Sequence, residues 1–139
     1  ISCNSNQKSL PVSLGETLDG VPFITGKINR QNLIEFEHSK WFLSEYEKYQ
    51  VPVGWVKKNK KLLNEMNLKL FLGTWCEDSE REVPGMIKLL ESSDFDFSKI
   101  EIYAVTEEKY TYENFEKHIV HRGSFRIFKP HMCHTCVLC

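Results

Sequence analysis

No stretch of this chain approaches the ~18 consecutive apolar residues that a bilayer-spanning helix needs, so no such span is expected. Net charge is almost absent. Eighteen Lys and Arg against 19 Asp and Glu leave −1, which gives no electrostatic footprint for nucleic acid or for an anionic membrane. There is no internal repeat. There is also no spaced cysteine framework: Cys3 and Cys76 stand alone, and Cys133, Cys136 and Cys139 crowd together. A disulfide-stapled fold is therefore not expected. What remains is ordinary. The 139 residues, 41% hydrophobic and 27% charged, suit one globular domain with one core.

The chain is organised around residues 68–92. Leu68 to Leu72 is a short apolar run that reads as a buried strand, and Gly73 and Thr74 break it. Asp78 and Ser79 are good N-cap types. Glu80 and Glu82 put negative charge in a first helical turn. Val83, Met86, Ile87 and Leu90 then recur at helical spacing. Cys76 thus falls where a strand hands over to a helix N-terminus, and free N–H groups and the positive dipole end there favour thiolate over thiol.

Strand, Trp75-Cys76-x-x-Ser79 and helix, with Pro84 eight residues after the Cys, resemble the thioredoxin-like proteins, in which a kinking proline sits in that helix. Gly73-Thr74-Trp75-Cys76-x-Asp78-Ser79 with Val83-Pro84 is most similar to a monothiol bacterial branch. The resemblance is specific over residues 68–117, weaker over 13–67 and absent from the last twenty or so. It implies an α/β fold and thiol–disulfide exchange, with Cys76 as nucleophile, Ser79 as hydrogen-bond partner of its sulfur, and Trp75, Glu77 and Asp78 beside a protein substrate.

Two local effects compete at Cys76. The helix end lowers its pKa, while Glu77 and Asp78 raise it by like-charge repulsion unless Asp78 turns to the helix N–H groups. A second cysteine at position 79 would resolve a mixed disulfide within the site, and Ser79 cannot. A single thiol exchanges mixed disulfides but needs an external resolver. Position 70 is Leu, where dithiol members often carry a buried acid. The bland alternative for Cys76 is a small buried hydrophobe.

Ahead of this stretch, Ile1-Ser2-Cys3 has no initiating Met and looks like the end of a bacterial lipoprotein signal, with Cys3 acylated and residues 4–9 a flexible tether. Short strands are predicted at Val12–Leu14 and Val21–Thr25. Residues 30–49 read as two short helices broken at His38-Ser39, with their aromatics packed on the sheet. Lys57 to Asn67 reads as an amphipathic helix with a solvated basic face. Downstream, residues 92–98 form a polar loop, residues 99–105 a second strand parallel to the first, and a further helix begins at Thr111 or Tyr112. Phe125 to Phe128 would form one strand. Residues 118–139 show neither the cis-proline loop nor the antiparallel pair and last helix that the resemblance calls for, so an altered or truncated C-terminus is expected there, as after a reading-frame shift. His131, Cys133, His134, Cys136 and Cys139 are zinc-compatible types, but crowd into nine residues and read as adventitious.

The organisation expected is a tether over 1–12, a helical extension over 13–67, a thioredoxin-like core over 68–117 and an atypical tail over 118–139. No cofactor and no metal are expected. The partner would be a disulfide- or thiol-bearing protein, not nucleic acid, with membrane contact only through a lipid anchor at Cys3 and a location at the bacterial cell envelope. The rival reading is a non-catalytic binding or structural module of the same fold.

Overall fold

Burial of alternating apolar side chains on a short sheet sets the architecture. The computed structural model describes residues 7–112 and, as backbone alone, the strand 134–138. The elements run β1 (Ser13–Glu16), β2 (Pro22–Ile28), α1 (Arg30–Glu35), α2 (Trp41–Lys48), α3 (Val53–Glu65), β3 (Leu68–Leu72), α4 (Glu77–Ser92), β4 (Ile100–Ala104) and β5 (His134–Leu138), with 3-10 turns at Glu37–Ser39 and Phe97–Lys99. The five strands lie in the order β1-β2-β4-β3-β5. β1 with β2, and β2 with β4, are antiparallel, whereas β3 is parallel to both β4 and β5. The chain is an α/β protein with a mixed sheet.

β3 falls where the apolar run predicts it, and β3, α4 and β4 form the expected parallel unit. The break at His38-Ser39 is also present, as the 3-10 turn between α1 and α2. α3 starts four residues earlier than its basic face suggests, directly after Pro52. Pro is tolerated there because first-turn N–H groups have no intrahelical partner. Lys57, Lys58, Lys60 and Lys61 are exposed, as a solvated face requires.

Three segments sit differently from the expected organisation. Residues 13–67 are no appendage, because β2 pairs with β4 and belongs to the same sheet as the site-bearing strand. Nor are residues 8–10 a free tether. Asn29 caps α1 in a reciprocal capping box with Asn32. Asn29 Nδ2 also donates to the Lys8 carbonyl at 2.8 Å, and Asn32 Nδ2 donates to that of Leu10 at 2.8 Å. Within the expected tail, His134–Leu138 is a strand that pairs along the whole of β3. Thr111 and Tyr112 are not helical. The remainder of the helix expected there, the strand at 125–128, and Cys3 lie outside the described residues.

One core face carries Ile24, Ile28, Leu70, Leu72, Ile102 and Ala104 from the sheet, Leu33 and Phe42 from α1 and α2, and Val83 and Ile87 from α4. Each large side chain so buried contributes about 1.5–3 kcal/mol relative to exposure. The aromatics of residues 30–49 thus belong mainly to the core, with Phe42 fully buried and Trp41 and Tyr46 packed around it. Arg30 binds α2 to α4: its guanidinium lies 5.2 Å from the Tyr46 ring centroid, and its Nε lies 3.3 Å from a Glu91 carboxylate oxygen. Pro84 is buried inside α4 and has no N–H for the Glu80 carbonyl. Beside it Gly85 receives the Tyr49 ring so closely that a Cβ would stand 2.6 Å from Tyr49 Cδ2.

Candidate functional site

β3 and β4 end together, and the loop 73–76 leaves that end of the sheet for α4. Helix α4 begins at Glu77, so its N-cap is Cys76 itself, with φ −105° and ψ 123°. The sequence favours Asp78 or Ser79 for that position, but the turn closes earlier. The Cys76 N–H donates to the Gly73 carbonyl at 3.1 Å, and the Glu80 N–H donates to the Cys76 carbonyl at 3.0 Å. The helix therefore starts at the first residue able to accept an i+4 bond. This places the thiol-bearing residue at the positive end of the helix axis more closely than the expected cap would.

Cys76 is half-buried, and its sulfur is disulfide-bonded. A lone cysteine without a partner in its motif is thus held in a disulfide, although the cysteine spacing gives no sign of one.

The loop is fastened at three points. Ser79 is fully buried, and its Oγ accepts the Gly73 N–H at 3.1 Å. The hydroxyl expected to serve the sulfur therefore also ties the first turn of α4 to the end of β3. Thr74, buried and overlooked in the sequence, accepts the Ile24 N–H at 3.3 Å through its Oγ1. The Trp75 indole folds back over Gly73, where a Cβ would lie 2.6 Å from its ring, and its Nε1 donates to the Val105 carbonyl at 2.9 Å. Trp75 is consequently a pinned, half-buried wall beside Cys76, not a freely presented side chain.

The charges arrange differently from their order in the sequence. Asp78 pairs with Arg81 at 2.6 Å, and Arg81 also holds Glu82 at 2.8 Å. Asp78 is thus neutralised by a cation one turn on. Glu77 is exposed. Glu80 is the acid that the sequence reading takes only as a complement to the helix dipole. Burial pushes its carboxyl above the usual range, and the negative charges of Glu77 and Glu45 push it further. Apolar spacing alone does not reveal that α2 brings Glu45 towards this turn.

A groove of about 650 Å³ lies elsewhere, along β1, lined by Leu14, Phe23, Phe36 and His38 among others. None of residues 73–80 lines it. Among the described residues no helix is long and apolar enough to cross a membrane, and no cluster of three or more metal-ligating side chains occurs. His131, Cys133 and Cys139 of the tail set lie outside the described residues. Compared with known proteins, the chain matches no family model, no curated protein and no solved structure.

Proposed function

We propose that this chain is a thioredoxin-like protein of thiol–disulfide exchange acting through Cys76. The observation that carries the reading is the place of that residue: N-cap of α4, at the end of a central strand, half-buried, with its sulfur already in a disulfide. Exchange needs an attacking thiolate with access to a disulfide sulfur. Helix-end N–H groups stabilise a thiolate, and the Asp78–Arg81 pair removes one of the two repulsive charges near it. Trp75, held by Val105, offers a fixed surface for a protein dithiol or disulfide. An oxidising compartment suits such chemistry, so we place the protein at a bacterial cell envelope, tethered through Cys3.

A second reading has one observation in its favour. Ser79, Thr74 and Trp75 all spend hydrogen bonds on fastening the loop, which is what a non-catalytic module with a structural disulfide would need.

Alkylation of Cys76 against pH separates the two, with the other four cysteines changed to Ser. A native apparent pKa clearly below the ~8.5 of an unfolded thiol supports exchange. A native rate far below the denatured one would assign the disulfide to structure alone. Cys76→Ala abolishes exchange with a small disulfide and leaves the fold intact; activity surviving in that variant refutes the assignment.

A further inference from the structure

We propose that the outer edge of β1 and the groove beside it bind an extended segment of another protein, one that sets an apolar and a basic side chain two residues apart. β1 ends the sheet, and among the described residues it pairs only with β2. An edge of this kind presents N–H and C=O groups to a further strand. The register shows which ones. Residues opposite each other in an antiparallel pair alternate between bonded and unbonded. The Thr17 N–H donates to the Val21 carbonyl at 2.9 Å, so the next pair, Glu16 with Pro22, is an unbonded one. Pro22 has no N–H to give, which agrees. Ile24, opposite Leu14, turns its N–H away to Thr74. Leu14 and Glu16 therefore point their N–H and C=O groups away from β2, at the spacing an added strand takes up.

The side chains define the occupant. Directly opposed residues share a face, so Leu14 and Glu16 lie on the face of Ile24, which carries the core. The groove of about 650 Å³ is walled by β1 and by Phe36, Glu37 and His38. The Phe36 and His38 rings stand 5.4 Å apart, and Leu14 is 71% exposed. With His38 neutral, the only formal charges in the lining are the carboxylates of Glu16 and Glu37; no Lys or Arg lines the groove. An entering strand thus meets an apolar wall at Leu14 and negative charge at Glu16, two residues on. A valine and a lysine at that spacing share one face of an extended peptide and match both. A second copy of β1 would instead bring another Glu16, not a cation, to this edge. The proposal does not depend on Cys76, since none of residues 73–80 lines the groove.

The test uses the full chain and two capped, fluorescent peptides. One sets valine and lysine two residues apart among threonines; the other has glutamate in place of lysine. In the free chain, amide exchange followed by NMR is expected to be fast at Leu14 and Glu16 and slow at Gly15, which bonds inwards. The lysine peptide should slow exchange at Leu14 and Glu16 at least ~tenfold and leave Gly15 unchanged. By fluorescence anisotropy, Glu16→Gln should weaken its binding by up to about fivefold. Glu16→Pro also removes the outward N–H, at a position where no bond to β2 is lost, and should weaken binding a further two- to tenfold, roughly. Should the proline variant fail to fold, Glu16→Lys decides, by reversing the preference between the two peptides. Slow exchange at Leu14 and Glu16 in the free chain overturns the proposal, because the edge is then already covered. Equal affinities for the two peptides overturn it as well, as does protection that rises with protein concentration alone, the mark of a second copy.

Discussion

Gly85→Ala is a substitution for which two principles predict opposite signs. In a helix interior Ala is favoured over Gly by about 1 kcal/mol. Helix propensity alone therefore predicts that the change stabilises α4. Packing predicts the reverse. The added Cβ would lie 2.6, 2.8 and 3.1 Å from Cδ2, Cε2 and Cγ of Tyr49, and a ring anchored at Cγ cannot swing aside as a flexible chain end does. Tyr49 is the C-cap of α2, and its carbonyl receives Lys88 Nζ from α4 at 2.9 Å. Moving the ring therefore strains the α2–α4 contact. Overpacking of this kind costs about 1–3 kcal/mol. The net expectation is a loss of roughly 0–2 kcal/mol, read as a lower urea midpoint at unchanged slope. In a Tyr49→Ala background the obstacle is gone, and the same substitution should stabilise by up to ~1 kcal/mol. The two backgrounds should thus differ by about 1–3 kcal/mol. Equal stabilisation in both would refute the close contact.

Two more predictions concern the site. Ser79→Ala leaves the buried Gly73 N–H without its acceptor and should cost about 1–3 kcal/mol in urea unfolding; a change below ~0.3 kcal/mol would remove Ser79 from the loop's support. Glu80 has its folded pKa raised, chiefly by burial and then by Glu77 and Glu45. Its ionised form opposes folding, and this cost is absent below the unfolded pKa and grows as pH rises through the folded one. Glu80→Gln should therefore raise the Tm at pH 7 and leave it unchanged near pH 3, and a lower Tm at pH 7 would contradict the assignment.

Residues 68–104 were the legible part of the chain, because local signals there agree. The apolar run fixes β3, the period fixes α4, and Gly73 marks the break. Asp78 and Ser79 have strong intrinsic cap preferences, yet a backbone turn from Gly73 decides the start of α4 at Cys76. The roles of Thr74 and Trp75 depend on Ile24 and Val105, distant partners that no local pattern announces. β1 and β2 showed as strands, but not that they join the sheet of β3, since pairing of Gly26 with Ala104 is a long-range choice. β5 is not legible in the sequence, because His134-Thr135-Cys136-Val137-Leu138 alternates poorly and sits among ligand-type residues.

That same β2–β4 pairing governs the order of assembly. Leu68 and Ile100 pair across 32 positions, whereas Gly26 and Ala104 pair across 78. Loop closure makes the longer pairing the slower, so the β3–α4–β4 unit should condense first and receive the hairpin afterwards. During synthesis at ~5–20 residues per second, residues 22–28 emerge roughly 4–15 s before the strand that receives them. Throughout that interval Phe23, Ile24 and Ile28, all buried in the finished sheet, have no surface to lie on. A chaperone that holds nascent chains has its window there, at the N-terminal hairpin and not at the segment that carries Cys76.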